Sequence, residues 1–339
     1  MIITRTPLRI SFAGGGSDLR EFYREHGGAV LSVAVAKYVF LSMHPYFHER
    51  KIFLKYSHSE LVDSVEEIQH RIIHEVFSAY GIQGVDFNSS ADVPSGTGLG
   101  SSSSFTVGLL NLCNAYTGRR MTPYELAESA CRVEIDRLHE PIGKQDQYAA
   151  AFGGLNLISF QPDDSVRVER ITLTPRDYQE LQKRLVMYFL GSTRAARDVL
   201  QEQKNNLRSD RRKSDTLRKM VQLARELAVA LGKGDLDTLG EALHTGWMYK
   251  KELAKGISNE RIEHYYQIAL DNGARGGKLL GAGGCGFLLF YRPESERERL
   301  RRALSDLQEC DVVFDDYGST LIDLNHVPTM SVPIYHRAA

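Results

Sequence analysis

The stretch Pro94-Ser95-Gly96-Thr97-Gly98-Leu99-Gly100-Ser101-Ser102-Ser103-Ser104 sets alternating glycines and a run of serines directly before an apolar segment with helical spacing. Glycine reaches φ > 0 at little cost, so successive backbone N–H groups can converge on an anion, and the start of the helix adds the positive end of its dipole. The loop reads as a phosphate cradle, with serine hydroxyls available to phosphate oxygen or a hard cation. A flexible turn with an ordinary helix cap would not require this density of glycine. No Gly-Lys-Ser or Gly-Lys-Thr follows, so the loop is not of the Walker A kind.

A second cluster, Gly281-Ala282-Gly283-Gly284-Cys285-Gly286, has the spacing of a dinucleotide loop but precedes a strand instead of following one. Close approach of the cluster to the first loop, or to a ligand there, suits it better, with Gly283 and Gly284 as candidates beside the substrate; a tight helix-to-strand turn is the alternative. Just over half of the 29 glycines fall in four short stretches, 11–18, 94–104, 143–154 and 276–286.

Two further segments carry polar chemistry. In 134–146, Glu134, Asp136, Glu140 and Asp146 leave a helix end across a Pro/Gly break, and carboxylates near a phosphate cradle can hold Mg²⁺ or orient an attacking hydroxyl. In 9–18, Arg9 and Asp18 flank the Gly14-Gly15-Gly16-Ser17 turn, where a carboxylate and exposed backbone groups would suit a polyhydroxyl sugar.

The rest of the chain bounds these readings. With 339 residues, 42% of them apolar, about two domains with a sizeable core are expected. The net charge of -1 removes the basic field of a phosphate-driven nucleic-acid binder. Cys113, Cys131, Cys285 and Cys310 form no Cys-x-x-Cys pair, and no apolar run approaches a membrane span, so a reduced, cytoplasmic chain acting on small molecules is expected.

Alternation predicts strands at 2–12, 29–43, 51–56, 85–89, 155–160 and 166–173, with turns at Gly14 to Gly16 and at Gly27-Gly28. Helical spacing predicts helices at 62–80, 105–116 and 122–139, then at 193–207, 215–231, 236–255, 259–272 and 294–309, with strands at 184–190, 287–291 and 311–314. A soft boundary near 175 divides the chain into domains 1–175 and 176–339. His70 and His74 share spacing but no third ligand, which predicts an exposed face, as for the cation-rich 208–219; Trp247, Tyr265 and Tyr266 are predicted in the core.

These segments together resemble the GHMP small-molecule kinases. The strand-turn from Pro7 to Leu19, the Pro-x-x-x-Gly-Leu-Gly-Ser-Ser loop from Pro94 to Ser102, and the run from Lys278 to Gly286 occur in the family's order. Within the family, Pro7-Leu-Arg-Ile-Ser-Phe-Ala-Gly-Gly-Gly-Ser-Asp18 and Glu140-Pro-Ile-Gly-Lys-Gln-Asp-Gln-Tyr148 are most similar to D-glycero-D-manno-heptose 7-phosphate kinases. Galactokinases carry a Glu-His-Thr-Asp-like turn where this chain has Gly15-Gly16-Ser17-Asp18. The resemblance implies an α+β, two-domain GHMP kinase fold: a ribosomal protein S5 domain 2-like N-terminal domain and a ferredoxin-like C-terminal domain.

It further implies that Pro94, Gly96, Gly98, Leu99, Gly100, Ser101, Ser102 and Ser103 wrap the ATP phosphates. Ser102 and Glu134 are implied to hold Mg²⁺, Asp146 to act as the catalytic carboxylate with Arg9 beside it, and Asp18, with Gly15, Gly16 and Ser17, to hold substrate hydroxyls. The implied reaction is ATP-dependent phosphorylation of the anomeric hydroxyl of a heptose 7-phosphate, on the way to an activated heptose for surface polysaccharide. A 7-phosphate needs a cation outside the ATP site, for which Arg194, Lys250 and Lys251 are the candidates. A kinase of an unphosphorylated sugar such as L-fucose, and a sugar-binding relative without catalysis, share the same motifs. The oligomeric state stays open, a homodimer included.

Overall fold

The computed structural model describes residues 1–48, 50–191 and 197–323. The N-terminal alternation becomes one long antiparallel pair, β1 (Ile2–Ala13) and β2 (Gly28–Pro45). Between them lies a helix, α1 (Arg20–His26), where the sequence predicts only turns. Seven residues are too few for a helical period to register, yet Phe22 and Tyr23 are buried on its inner side.

The two ends of β2 pair with different strands. Residues 28–33 bond to β6 (Leu155–Phe160), and residues 39–45 bond to β5 (Val85–Ala91). β3 (Ile52–Lys55) runs parallel to β5 and carries β4 (Ser59–Val62), while β7 (Val166–Arg170) closes on β6. The eighth strand, β12 (Thr320–Asp323), pairs with β1 from the far end of the described chain. A cut at residue 175 therefore leaves one strand of this sheet on its other side.

Helices α2 (Arg71–Tyr80), α3 (Ser101–Tyr116), α4 (Pro123–Cys131) and α5 (Gln145–Phe152) belong to this half, with α3 and α5 against β1 and β2. The predicted helix at 62–80 starts only at Arg71. Before it come β4 and a single 3-10 turn, and because Val65 and Ile68 are buried in those elements too, the apolar stripe hides the break. The predicted helix at 122–139 starts on a Thr122–Glu125 capping box but passes into a π-helical turn, Arg132–Arg137.

The second sheet is antiparallel, in the order β11 (Gln308–Asp311), β8 (Leu185–Phe189), β10 (Phe287–Tyr291), β9 (Gly276–Leu279). Around it stand α6 (Pro175–Arg184), α7 (Arg197–Ser209), α8 (Arg211–Gly232), α9 (Thr238–Lys251), α10 (Glu260–Asp271) and α11 (Arg297–Ala303). The charged segment 294–309 forms only a short helix and then an edge strand, so β11 lies three residues before the predicted strand. An edge strand tolerates the polar Gln308, Glu309 and Asp311 because only one side of it is bonded. Trp247 and Tyr266 are buried as predicted, whereas Tyr265 is half-buried and donates its hydroxyl to Asp306.

No gap separates the halves. Leu19 and Phe22 pack in the apolar cluster that holds Leu217 and Trp247, and α8 lies against β2. The cleft left between the sheets is where the polar motifs meet.

Candidate active site

The loop after β5 delivers Gly96, Gly98 and Gly100 at φ values of 75°, 86° and 77°, all in the left-handed region. Gly100 caps α3, so the serines expected in the loop form the first helical turn, whose leading N–H groups have no partner within the helix. The second glycine cluster sits against it. A Cβ on Gly98 would lie 2.6 Å from the Leu280 carbonyl oxygen, and one on Gly281 would lie 2.3 Å from the Gly98 Cα. This is the close backbone approach that the glycine spacing predicts. Cys285 fits there too, its Sγ 3.8 Å from the Gly96 carbonyl.

A cleft of about 1000 Å³ opens beside these loops and takes lining residues from both halves. At its centre Arg9 donates Nε–H to Asp146 Oδ1 (2.7 Å) and an Nη2 hydrogen to Oδ2 (2.8 Å), while Nη1 donates to the Gly98 carbonyl (2.7 Å). The strand β1, the phosphate loop and the first turn of α5 are thereby tied at one guanidinium.

At the glycine turn, Asp18 accepts from the Gly16 N–H (2.9 Å), the Gln145 N–H (3.2 Å) and Gln145 Nε2 (3.0 Å). Gly143 makes room for it, since a Cβ there would fall 2.0 Å from Asp18 Oδ2. Burial, with the charge of Asp146, pushes the Asp18 carboxyl up. Towards the helix start, Glu134 accepts from Ser102 Oγ (3.0 Å) and Gln147 Nε2 (2.7 Å), and burial pushes it up to about 7.

Two lysines complete the wall. Lys250 Nζ donates to the carbonyls of Leu279 and Gly281, and Lys278 Nζ to those of Ser11 (2.7 Å) and Phe12 (3.3 Å). Burial, with neighbouring positive charge, pushes Lys250 well down and Lys278 down to about 7. Among the described residues neither pairs with a carboxylate, so only the ammonium form of each would have an N–H beyond these bonds.

The loop residues expected at the nucleotide all line the cleft except Leu99, which is fully buried and offers its carbonyl to the Arg9 N–H (3.0 Å). Arg9, Gly15, Gly16, Asp18, Glu134, Asp146 and Lys250 line it as well. Ser17 does not: its hydroxyl bridges the backbone of Ala29. Gly283 and Gly284 turn towards Ile257, and Lys251 pairs with Glu263. Arg194 lies outside the described residues. His70 departs from its expected exposed face; it caps α2 with Nδ1, packs on Tyr56 and Phe105, and faces the cleft.

Sequence reading missed Lys278, Gln145, Gln147 and Gln203. Lys278 stood at the head of the glycine run and the two glutamines flanked Asp146, but nothing in one sequence marks an amide or a buried ammonium as functional.

The chain matches the GHMP kinases N terminal domain over residues 67–154 and the GHMP kinases C terminal over 227–309. It is 31% identical over 315 residues to the D-glycero-alpha-D-manno-heptose 7-phosphate kinase of Campylobacter jejuni, covering 89% of this chain and 93% of that protein. The chain belongs to the GHMP kinase family. As a kinase of this family it is a phosphotransferase with an alcohol acceptor and ATP as donor. A bifunctional fucokinase/GDP-fucose pyrophosphorylase of Arabidopsis thaliana is 27% identical over 338 residues, covering 90% of this chain and 31% of that protein. A Bacteroides thetaiotaomicron D-glycero-D-manno-heptose 1-phosphate kinase superposes with a TM-score of 0.79 at 24% identity, over 96% of this chain and 99% of that one. The two-domain GHMP kinase fold implied by the motifs is thus the observed one. Among the described residues no helix of the kinase is long and apolar enough to cross a membrane.

Proposed function

We propose that the kinase transfers the γ-phosphoryl group of ATP to the anomeric C1 hydroxyl of D-glycero-D-manno-heptose 7-phosphate, yielding the 1,7-bisphosphate and ADP. The observation that carries this reading is the two-point Arg9–Asp146 pair between the phosphate loop and the acceptor side. The bond from the C1 oxygen to phosphorus forms as the bond to the β,γ-bridging oxygen breaks, and the C1 hydroxyl proton passes to Asp146. Such transfer needs mainly alignment and charge neutralisation, for which Arg9, the loop N–H groups and the dipole of α3 are placed.

Ser102 and Glu134 supply hard oxygens 3.0 Å apart, and burial, with the charge of Asp146, raises the Glu134 carboxyl. That donor pair fits Mg²⁺, which Ser102 and Glu134 would hold; among the described residues no larger cluster of metal-binding side chains occurs. When bound there, the ion would neutralise charge on the phosphates. Lys250 is suited to the phosphate of the acceptor, whose charge would favour the ammonium form with one N–H beyond its two carbonyl bonds.

The Campylobacter relative favours the phosphorylated heptose, and the Arabidopsis relative favours an unphosphorylated sugar as the second reading. Coupled ADP release with ATP and Mg²⁺, across heptose 7-phosphate, free heptose and L-fucose, tests between them. The highest kcat/KM is expected with heptose 7-phosphate. An equal or higher value with either free sugar assigns the second reading.

A further inference from the structure

We infer that Gln203, with Gln145, reads hydroxyl groups of the acceptor sugar and so sets acceptor specificity. This rests on the acceptor site lying at Asp18, as in the reading above. Gln203 comes from α7, is only 6% exposed, and lines the cleft, yet its Nε2 has no hydrogen-bond partner among the described residues. Gln145 Oε1 is likewise buried without a partner.

Both amides stand at the same turn. The amide of Gln145 comes within 4 Å of where a Cβ on Gly15 would be, and Gln203 Nε2 lies 2.3 Å from where one on Gly16 would be. Asp18 joins the turn there, accepting from the Gly16 N–H and from Gln145. The orientation of Gln145 is fixed by that neighbour: a carboxylate only accepts, so the NH₂ must face Asp18 and the oxygen is the end left over. The site therefore offers an unmet donor, an unmet acceptor and a carboxylate around one small volume. Leu200, Met220 and Leu253 line the same end and limit competing water.

Buried polar atoms without partners are rare because they cost stability, and two at one cavity mark groups whose partners arrive with a ligand. A sugar hydroxyl donates and accepts at once, and adjacent hydroxyls on a ring match a donor and an acceptor set side by side. A site built this way discriminates strongly against an analogue lacking one hydroxyl, since that analogue leaves the amide buried and unpaired.

The variant Gln203→Met keeps the length of the side chain and removes the amide. With heptose 7-phosphate, its acceptor KM is expected to rise tenfold or more, with KM for ATP within twofold and an unchanged or higher Tm. Across single-deoxy analogues, one position should cost the wild-type kinase tenfold and the variant nothing. An acceptor KM within twofold of wild type, or a lowered Tm with equal deoxy losses in both proteins, overturns the inference. If wild-type kinase does not turn over heptose 7-phosphate, the substrate reading fails, and the same comparison on the free sugar it does turn over decides for Gln203.

Discussion

At the scale of single residues, the site is set by where charge is and is not compensated. Asp146 gives both oxygens to Arg9 and still faces the cleft, which suits it to position a hydroxyl and take its proton. Asp146→Asn keeps the shape but loses the base, so kcat should fall about 1000-fold while nucleotide affinity, measured by titration calorimetry, stays within a few-fold. Near-normal turnover would remove Asp146 from the role. Lys278 is held neutral more readily than a free lysine, its pKa pushed down to about 7. Between pH 7 and about 10 the unfolded chain therefore holds a proton that the folded one has lost, and this residue's contribution to stability rises with pH. From pH 7 to 9, urea unfolding should show wild-type stability gaining on that of Lys278→Met by about 2 kcal/mol. Identical slopes for the two proteins would contradict the neutral lysine.

At the scale of elements, two glycine loops touch by backbone. Gly98→Ala would place a methyl 2.6 Å from the Leu280 carbonyl and force alanine to φ near +86°, so a loss of about 3 kcal/mol and a raised KM for ATP are expected. Thermal unfolding checks the first and steady-state kinetics the second. The loops were legible because their glycines are required by this contact and by φ, both of which leave a trace in composition. The long strands and the start of α4 were legible through alternation and through the Thr122-Pro123 pair, with Pro at the first helical position. The same signature opens α6 at Thr174-Pro175, with Asp177 donating its N–H to the Thr174 hydroxyl, and could have revealed that helix. The π-helical turn that carries Glu134 has no such mark, because an extra residue in a helix changes facing and not composition.

At the scale of the whole molecule, β12 returns to the first sheet, and α7 and α8 lean across from the second half to α1, β1 and β2, with Leu200, Gln203 and Met220 lining the cleft. Long-range pairings of this kind depend on partners hundreds of residues away, so β12 was invisible locally. The glycine turn suffered the same loss: Asp18 was legible from it, but Gln203 reaches that turn only through the tertiary fold. The glycine loop and α3 are local, a strand, a loop and a helix in succession, and the residues expected there line the cleft except Leu99, which faces the core. Charge follows the same division. A net charge of -1 overall coexists with Arg9, Lys250 and Lys278 gathered along one wall of the cleft, where the charge of a bound polyphosphate or sugar phosphate would favour the protonated form of the two buried lysines.

Phosphorus NMR of the reaction of wild-type kinase with ATP, Mg²⁺ and D-glycero-D-manno-heptose 7-phosphate reads phosphoryl transfer to C1 of a sugar that already carries a phosphate. The expected result is a second sugar phosphorus signal coupled to the anomeric proton, in step with ADP, with the 7-phosphate signal retained. ADP formed without that signal, or a new phosphate on any other carbon, would contradict the account.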